Sequence, residues 1–287
     1  MANLSINSTV RMKSGYEIPQ LGYDLIFQSP AEISSKVTSH AIKSGYRHVD
    51  SATMYKNEEP TVKGMLNAGV PRDQLFFTSK VPPKEVNYEG AKKAVDESLK
   101  KTGLEYIDLY LLHAPYGGKE GRLGAWQALV EAADAGKVRS IGVSNYGVHH
   151  LDELEEWQKQ QPKDKAGVLS VNQVELHPWL ARPDIVDWCH SRGVVMEAYS
   201  PLVRATRNEE PVLQALAKKH SKTPTQILLR WGLQKQFVIL PKSVTLNRIE
   251  ENKELYDFEL DKEDMEKLDT GKYEPCAWDP TKAPADQ

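Results

Sequence analysis

The 287-residue chain has little cysteine: only Cys189 and Cys276, far apart and without metal-ligand spacing. That excludes a disulfide framework and suits two reduced thiols in a cytoplasmic protein. No apolar run approaches the roughly 18 residues that cross a bilayer, and the N-terminus lacks the apolar core of a signal peptide. A basic excess is missing too: the net charge is -3, which gives no electrostatic footprint for nucleic acid. No G-x-G-x-x-G follows a strand-like run and there is no P-loop, so a Rossmann mode of dinucleotide binding has no support. Low-complexity segments and an internal linker are also absent, so residues 1–287 are expected to form a single domain.

What is present is alternation. Short apolar runs at 20–25, 47–50, 75–80, 107–113, 139–144, 170–175, 194–198 and 237–240 predict eight strands. Amphipathic stretches such as 31–44, 88–102, 124–135 and 211–220 predict helices between them. Strands joined by crossovers of this length pair in parallel. Eight such units in fewer than 300 residues predict a closed (β/α)8 TIM barrel, with an open doubly wound sheet as the rival. Residues 10–13 and 16–18 flank Ser14-Gly15 and predict an N-terminal β-hairpin cap under the barrel. The last 15 residues, 273–287, contain three prolines and predict an extended C-terminal tail over a surface, with Trp278 needing somewhere to pack.

In a (β/α)8 barrel the active site lies at the C-terminal ends of the strands. Those ends carry Asp50, Lys80 (in FFTSK), His113 (in YLLH), Ser144-Asn145 (in GVSN), Glu175 and His177 (in NQVELH), Tyr199 (in EAYSPL) and Lys242-Ser243 (in VILPKS). Singly, each has an ordinary explanation as a cap, a solvated charge or a structural histidine. Together they converge on one mouth.

Two chemistries fit that convergence. In the first, His48 and Asp50 share the inward side of their strand, and with His113 and His177 they hold a divalent metal that activates water, as in a barrel hydrolase. Against it stand Lys80, a cation beside the metal, and the lack of a His-x-His pair. In the second, Tyr55, five residues beyond Asp50, donates a proton. A lysine ammonium about 4 Å away, at an effective dielectric near 20, attracts a phenolate by roughly 4 kcal/mol. That lowers a tyrosine pKa by at most about three units. Asp50 would hold and orient Lys80, and His113 would donate to a substrate oxygen. Such a site protonates an oxygen but supplies no electrons, so a hydride donor is needed. Lys242 and Arg248, in PKSVTLNRIEEN after the last strand, offer two cations that suit a 2'-phosphate.

The ordered motifs GYRHVDSATMYKNE, TSK, YIDLYLLHAP, GKVRSIGVSN, NQVELHP, AYSPL and LPKS with RIEEN together resemble the aldo-keto reductase superfamily, its fungal members most of all. The resemblance runs from IPQLG to the WDP of the tail. It implies a catalytic tetrad of Asp50, Tyr55, Lys80 and His113, with Tyr55 as the general acid. It implies NADPH in an extended form. Ser144, Asn145 and Gln173 would hold the carboxamide, Tyr199 would stack on the nicotinamide, and Ser200 and Leu202 would follow the pyrophosphate. Lys242, Ser243 and Arg248 would hold the 2'-phosphate, and Glu251 and Asn252 the adenine. Reduction of small-molecule aldehydes and ketones by a cytoplasmic monomer is the implied activity. The alternative within the family is a non-catalytic NADPH-binding regulatory protein. The family pattern has a Gly-x-Trp or Gly-x-Tyr turn after the first barrel strand, whereas this chain reads LGYDLIFQSP with Asp24 in place of the glycine. Topology places Asp24, Tyr116 and Trp278 on the loop after strand one, the loop after strand four and the tail. All three are expected at the substrate.

Overall fold

The computed structural model describes residues 4–25 and 30–285. Residues 26–29, the middle of the LGYDLIFQSP turn, lie outside them. An antiparallel hairpin, β1 (Thr9–Arg11) and β2 (Glu17–Pro19), precedes the barrel. Eight parallel strands follow: β3 (Gly22–Asp24), β4 (His48–Asp50), β5 (Phe76–Val81), β6 (Ile107–Leu112), β7 (Val138–Ser144), β8 (Leu169–Glu175), β9 (Val195–Tyr199) and β10 (Val238–Leu240). They pair in chain order. Parallel bridges from Leu21 to Ile239 and from Asp24 to Lys242 bring the first strand to the last and close the barrel. This is the (β/α)8 barrel that the alternation predicts, and not the open sheet.

At the closing seam the chain has one glycine, Gly22. A Cβ on Gly22 would stand 2.5 Å from Leu240 Cδ2 and 2.8 Å from His48 Nδ1. A larger residue here would require the Leu240 and His48 side chains to shift.

Each strand is followed by helix. Ala31–Lys43, Glu58–Leu66, Tyr88–Thr102, Gly118–Asp134, Val148–Gln160 and Pro183–Ser191 follow the first six strands. Pro211–His220 and Pro224–Gln234 both follow β9. The helix expected over 124–135 begins six residues earlier, at Gly118. Gly117 and Gly118 at its start have φ of 91° and 65°, so the chain turns into the helix at the glycine pair and the loop after His113 is short.

The period of two along each strand divides the interior into levels. At the bottom, Phe76, Leu109, Leu111, Val171, Val195 and Val238 form an apolar cluster. Met12 and Ile18 of the hairpin region close it from below, so the hairpin is a plug. Two and four residues further along the same inward faces the side chains become polar: Thr78 and Lys80 on β5, Gln173 and Glu175 on β8, Glu197 and Tyr199 on β9. The apolar bottom fixes the barrel, and the polar top is the candidate site.

Candidate active site

Lys80 is wholly buried at the top of β5. Its ammonium donates to a carboxylate oxygen of Asp50 and, over 2.7 Å, to the Ser51 carbonyl. The other Asp50 oxygen accepts from the Gln173 amide at 2.9 Å. The same amide donates to Glu197 at 2.7 Å, and His48 Nε2 lies 3.1 Å from the Thr78 hydroxyl. One chain of polar contacts thus crosses the barrel from Lys80 to Glu197. Burial pushes the Asp50 carboxyl up, and the Lys80 ammonium and Gln173 pull it back. Burial, with Asp50 adding repulsion, pushes Glu197 up to about 8, so it sits beneath the site as a neutral acid. Burial pushes His48 down to about 3, and Lys80 adds to that.

Tyr55 is presented by the short 3-10 turn Thr53–Tyr55 just after β4. Its ring meets His113 edge-on, with centroids 5.7 Å apart. The Lys80 ammonium is 5.3 Å from the Tyr55 ring centre. The expectation that Lys80 makes this phenol acidic needs correction. Burial holds Tyr55 well above the usual tyrosine range, and Asp24, Asp50 and Tyr199 push in the same direction. The physical reason is that the lysine charge is already matched by Asp50 at contact distance, so the phenol faces a compensated pair. Tyr55 keeps its proton, whereas His113, held well below the usual histidine range by burial and by Lys80, is a neutral imidazole with a single N–H.

Above these groups is a cavity of about 780 Å³. Tyr55, His113, Ser144, Asn145, Gln173, Tyr199 and Ser200 line it, together with Asp24, Tyr116 and Trp278. Asp50 and Lys80 do not; they lie beneath its floor. Asn145, at φ 61°, takes a left-handed conformation that asparagine tolerates. Its amide donates to the His113 carbonyl at 3.0 Å, and its oxygen accepts from the Tyr199 hydroxyl at 2.8 Å.

The tail brings Trp278 over the mouth. The indole is 6.2 Å from His113 and 5.8 Å from Tyr116, centroid to centroid, and 41% exposed. Glu175 pins the segment before it: its carboxylate accepts from the Cys276 and Ala277 amides at 2.7 and 3.1 Å, and from His177 at 2.8 Å. Arg182 ties the segment after it, to Asp279 at 2.9 Å and to Thr281 at 2.7 Å. The metal alternative is corrected by the same contacts. Among the described residues, the one set of three ligand-type side chains gathered within 4.8 Å is Glu175, His177 and Cys276. His177 therefore serves the tail, apart from His48, Asp50 and His113.

A second cavity, of about 820 Å³, adjoins the first and shares Asp24, Ser200 and Arg204 with it. Leu202, Lys242, Ser243, Arg248, Glu251 and Asn252 line it. The two cavities form one long trough from His113 to Asn252. Lys242 and Arg248 are exposed at its far end, without an ion-pair partner among the described residues. A molecule with a flat polar amide at one end and a phosphate at the other fits this donor set, so the residues suit an extended NADPH. Where the cavities join, Ser200, Val203, Arg204 and Ala205 all have positive φ, between 48° and 61°. Left-handed conformations of this kind are costly and cluster at ligand-binding segments.

Sequence reasoning missed Arg204, Asn208 and Thr223 in the trough and Met54, Pro82, Pro83 and Lys84 around the mouth. Loop residues carry no periodic signal. Glu197 was findable, because it lies two residues before Tyr199 on the inward face of β9.

Fold and site define a barrel oxidoreductase of the carbonyl-reducing class, with a buried lysine–carboxylate pair under a phenol and an imidazole. The chain belongs to the aldo/keto reductase family, whose sequence profile matches residues 27–271. A glyoxal reductase of Bacillus subtilis is 41% identical over 265 residues, covering 92% of this chain and 93% of that protein. An uncharacterized oxidoreductase of Schizosaccharomyces pombe is also 41% identical, over 267 residues and the same shares of the two chains. The crystal structure of an aldo/keto reductase from Brucella melitensis superposes with a TM-score of 0.84 at 37% identity, covering 91% of this chain and 98% of that one.

Proposed function

We propose that this protein reduces small aldehydes and ketones to alcohols with NADPH, Tyr55 acting as the general acid. The observation that carries the reading is the pairing of a neutral phenol and a neutral imidazole, Tyr55 and His113, on one wall of a cavity whose floor holds the Lys80–Asp50 pair. When bound, NADPH supplies the hydride that the chain itself lacks. Tyr55 and His113 point two hydrogen-bond donors at one place, where a carbonyl oxygen is polarised. As negative charge develops there, the Tyr55 proton moves to that oxygen, since an alkoxide is more basic than a phenolate. The transient phenolate then gains from the ammonium of Lys80, which Asp50 holds in place.

Ser144, Asn145 and Gln173 orient a carboxamide, with the Gln173 amide group fixed by Asp50 and Glu197 so that its oxygen is left to accept. Tyr199 stacks on the ring beside it. Ser200 and Leu202 follow the pyrophosphate through the junction. Lys242, Ser243 and Arg248 bind the 2'-phosphate, and Glu251 and Asn252 the adenine. Asp24, Tyr116 and Trp278 bound the space left for substrate.

The glyoxal reductase relative favours small reactive carbonyls as the substrate class. Residues 1–287 form one barrel domain in this reading, a cytoplasmic monomer without nucleic-acid or membrane partners. Among the described residues no helix is long and apolar enough to cross a membrane. Consumption of NADPH with a panel of aldehydes and ketones tests the proposal. Tight NADPH binding with no turnover on any of them would overturn it.

A further inference from the structure

Asp24 stands where the long trough crosses from one cavity to the other. It ends β3 opposite Asp50 on β4 and forms a bridge with Lys242 beyond β10. Its side chain lies on the same inward side as the missing one of Gly22, in the barrel mouth. The residue is 1% exposed, and its Oδ1 is buried without a hydrogen-bond partner among the described residues. Burying a carboxyl oxygen unpaired is costly, so an unpaired one in a site calls for a function.

The groups that face it come from every neighbouring element. They are Asp50 on β4, Lys80 on β5, Glu197 on β9 and Lys242 after β10. The phenols of Tyr23 and Tyr55 lie within reach of its charge, and Arg204 shares both cavities with it. The nearest buried cation, Lys80, is committed to Asp50. Burial and the neighbouring carboxylates therefore hold Asp24 protonated, well above the usual carboxylate range. Among the described residues no cation forms an ion pair with the carboxyl, although Lys242 acts on it from a distance.

We propose that Asp24 is a titrating counter-ion for an oxidised nicotinamide ring: its carboxyl stays neutral beside the uncharged reduced ring and ionises beside the cationic oxidised one. The inference rests on the nicotinamide reading given above and deepens it by assigning a residue to the redox state of the ring. Ser144, Asn145, Gln173 and Tyr199, the groups suited to hold that ring, line the same cavity as Asp24. A cation beside a buried carboxyl favours the carboxylate. On binding of the oxidised form the O–H bond of Asp24 breaks, the electron pair stays on the carboxylate and the proton goes to solvent. No electrons change hands. The oxidised cofactor is then held more tightly as pH rises, and its release is tied to proton uptake.

The test binds NADP+ and NADPH separately to the whole protein, followed by tryptophan fluorescence, from about pH 6 to about pH 9. The 2'-phosphate titrates in both forms, so the ratio Kd(NADPH)/Kd(NADP+) isolates the ring. In the wild type this ratio should rise with pH, by up to about tenfold per pH unit for one released proton. Asp24→Asn keeps the shape and removes the titration, and its ratio should be flat; Asp24→Gly should behave alike. A flat ratio in the wild type, or a slope that persists in Asp24→Asn, overturns the inference and leaves the cofactor reading standing. Failure of the wild type to bind either form overturns the cofactor reading and this inference with it.

Discussion

The Lys80 ammonium lies 5.3 Å from the centre of the Tyr55 ring, yet its hydrogen bonds go to Asp50 and to the Ser51 carbonyl. A buried pair of this kind is costly to break from one side. Lys80→Met leaves Asp50 buried without a cation, and stability should fall by about 3–5 kcal/mol in denaturant unfolding. Adding Asp50→Asn to that variant should recover part of the loss, because the two residues are coupled. Turnover should fall more in Lys80→Met than in Asp50→Asn, which weakens the orienting pair but keeps the cation. Intact turnover in Lys80→Met would remove Lys80 from the site.

Glu197 gives a pH signature. Its folded pKa, about 8, lies above the unfolded carboxylate value, so the folded state binds its proton more tightly. The stability it contributes is complete below the unfolded pKa and is lost as pH rises through about 8. Between about pH 5 and about pH 8 the wild-type unfolding free energy should therefore fall more steeply with pH than that of Glu197→Gln, by up to about 1.4 kcal/mol per pH unit, and above that the slopes should converge. Equal slopes would mean that Glu197 is ionised in the folded protein.

In the proposed reading, cofactor choice rests on the far end of the trough. NADPH and NADH differ only at the 2'-phosphate, which a planar arginine fork binds through two oxygens. Charge-assisted hydrogen bonds contribute roughly 1.5–3 kcal/mol each, so Arg248→Ala should weaken NADPH binding by about tenfold or more. NADH binding should hardly change, and added salt should shrink the difference, since Arg248 is exposed. Equal losses for both cofactors would give Arg248 a structural role.

Trp278 tests the mouth. Its indole packs against Tyr116 and His113 while remaining 41% exposed, so it lies at the mouth of the cavity. Trp278→Ala should reorder kcat/KM among bulky aldehydes and ketones more than it changes the rate with the smallest aldehyde. An unchanged order would make the tail packing only.

Eight strands were legible because short apolar runs alternate with amphipathic stretches, and their polar ends because the barrel gathers strand ends at one mouth. The hairpin was legible from Ser14-Gly15 between two short runs. Tertiary electrostatics was not. The sequence showed that Asp50 would hold Lys80, but not that burial would outweigh the lysine at Tyr55 or that Asp24 faces the phenol. The start of the helix at Gly118 was hidden by two glycines that look like loop. The anchoring of the tail by Glu175 and Arg182 joins residues about a hundred positions apart, which no local pattern records.

Steady-state turnover of Tyr55→Phe, measured with NADPH at saturation alongside the dissociation constant for NADPH, tests the role of the phenol most directly. The substitution keeps the ring that meets His113 and removes the proton. With Tyr55 as the general acid, kcat falls by about 10²–10⁴-fold while NADPH affinity barely changes. Near-normal turnover in this variant would contradict it, and the proton would have to come from another group in the cavity.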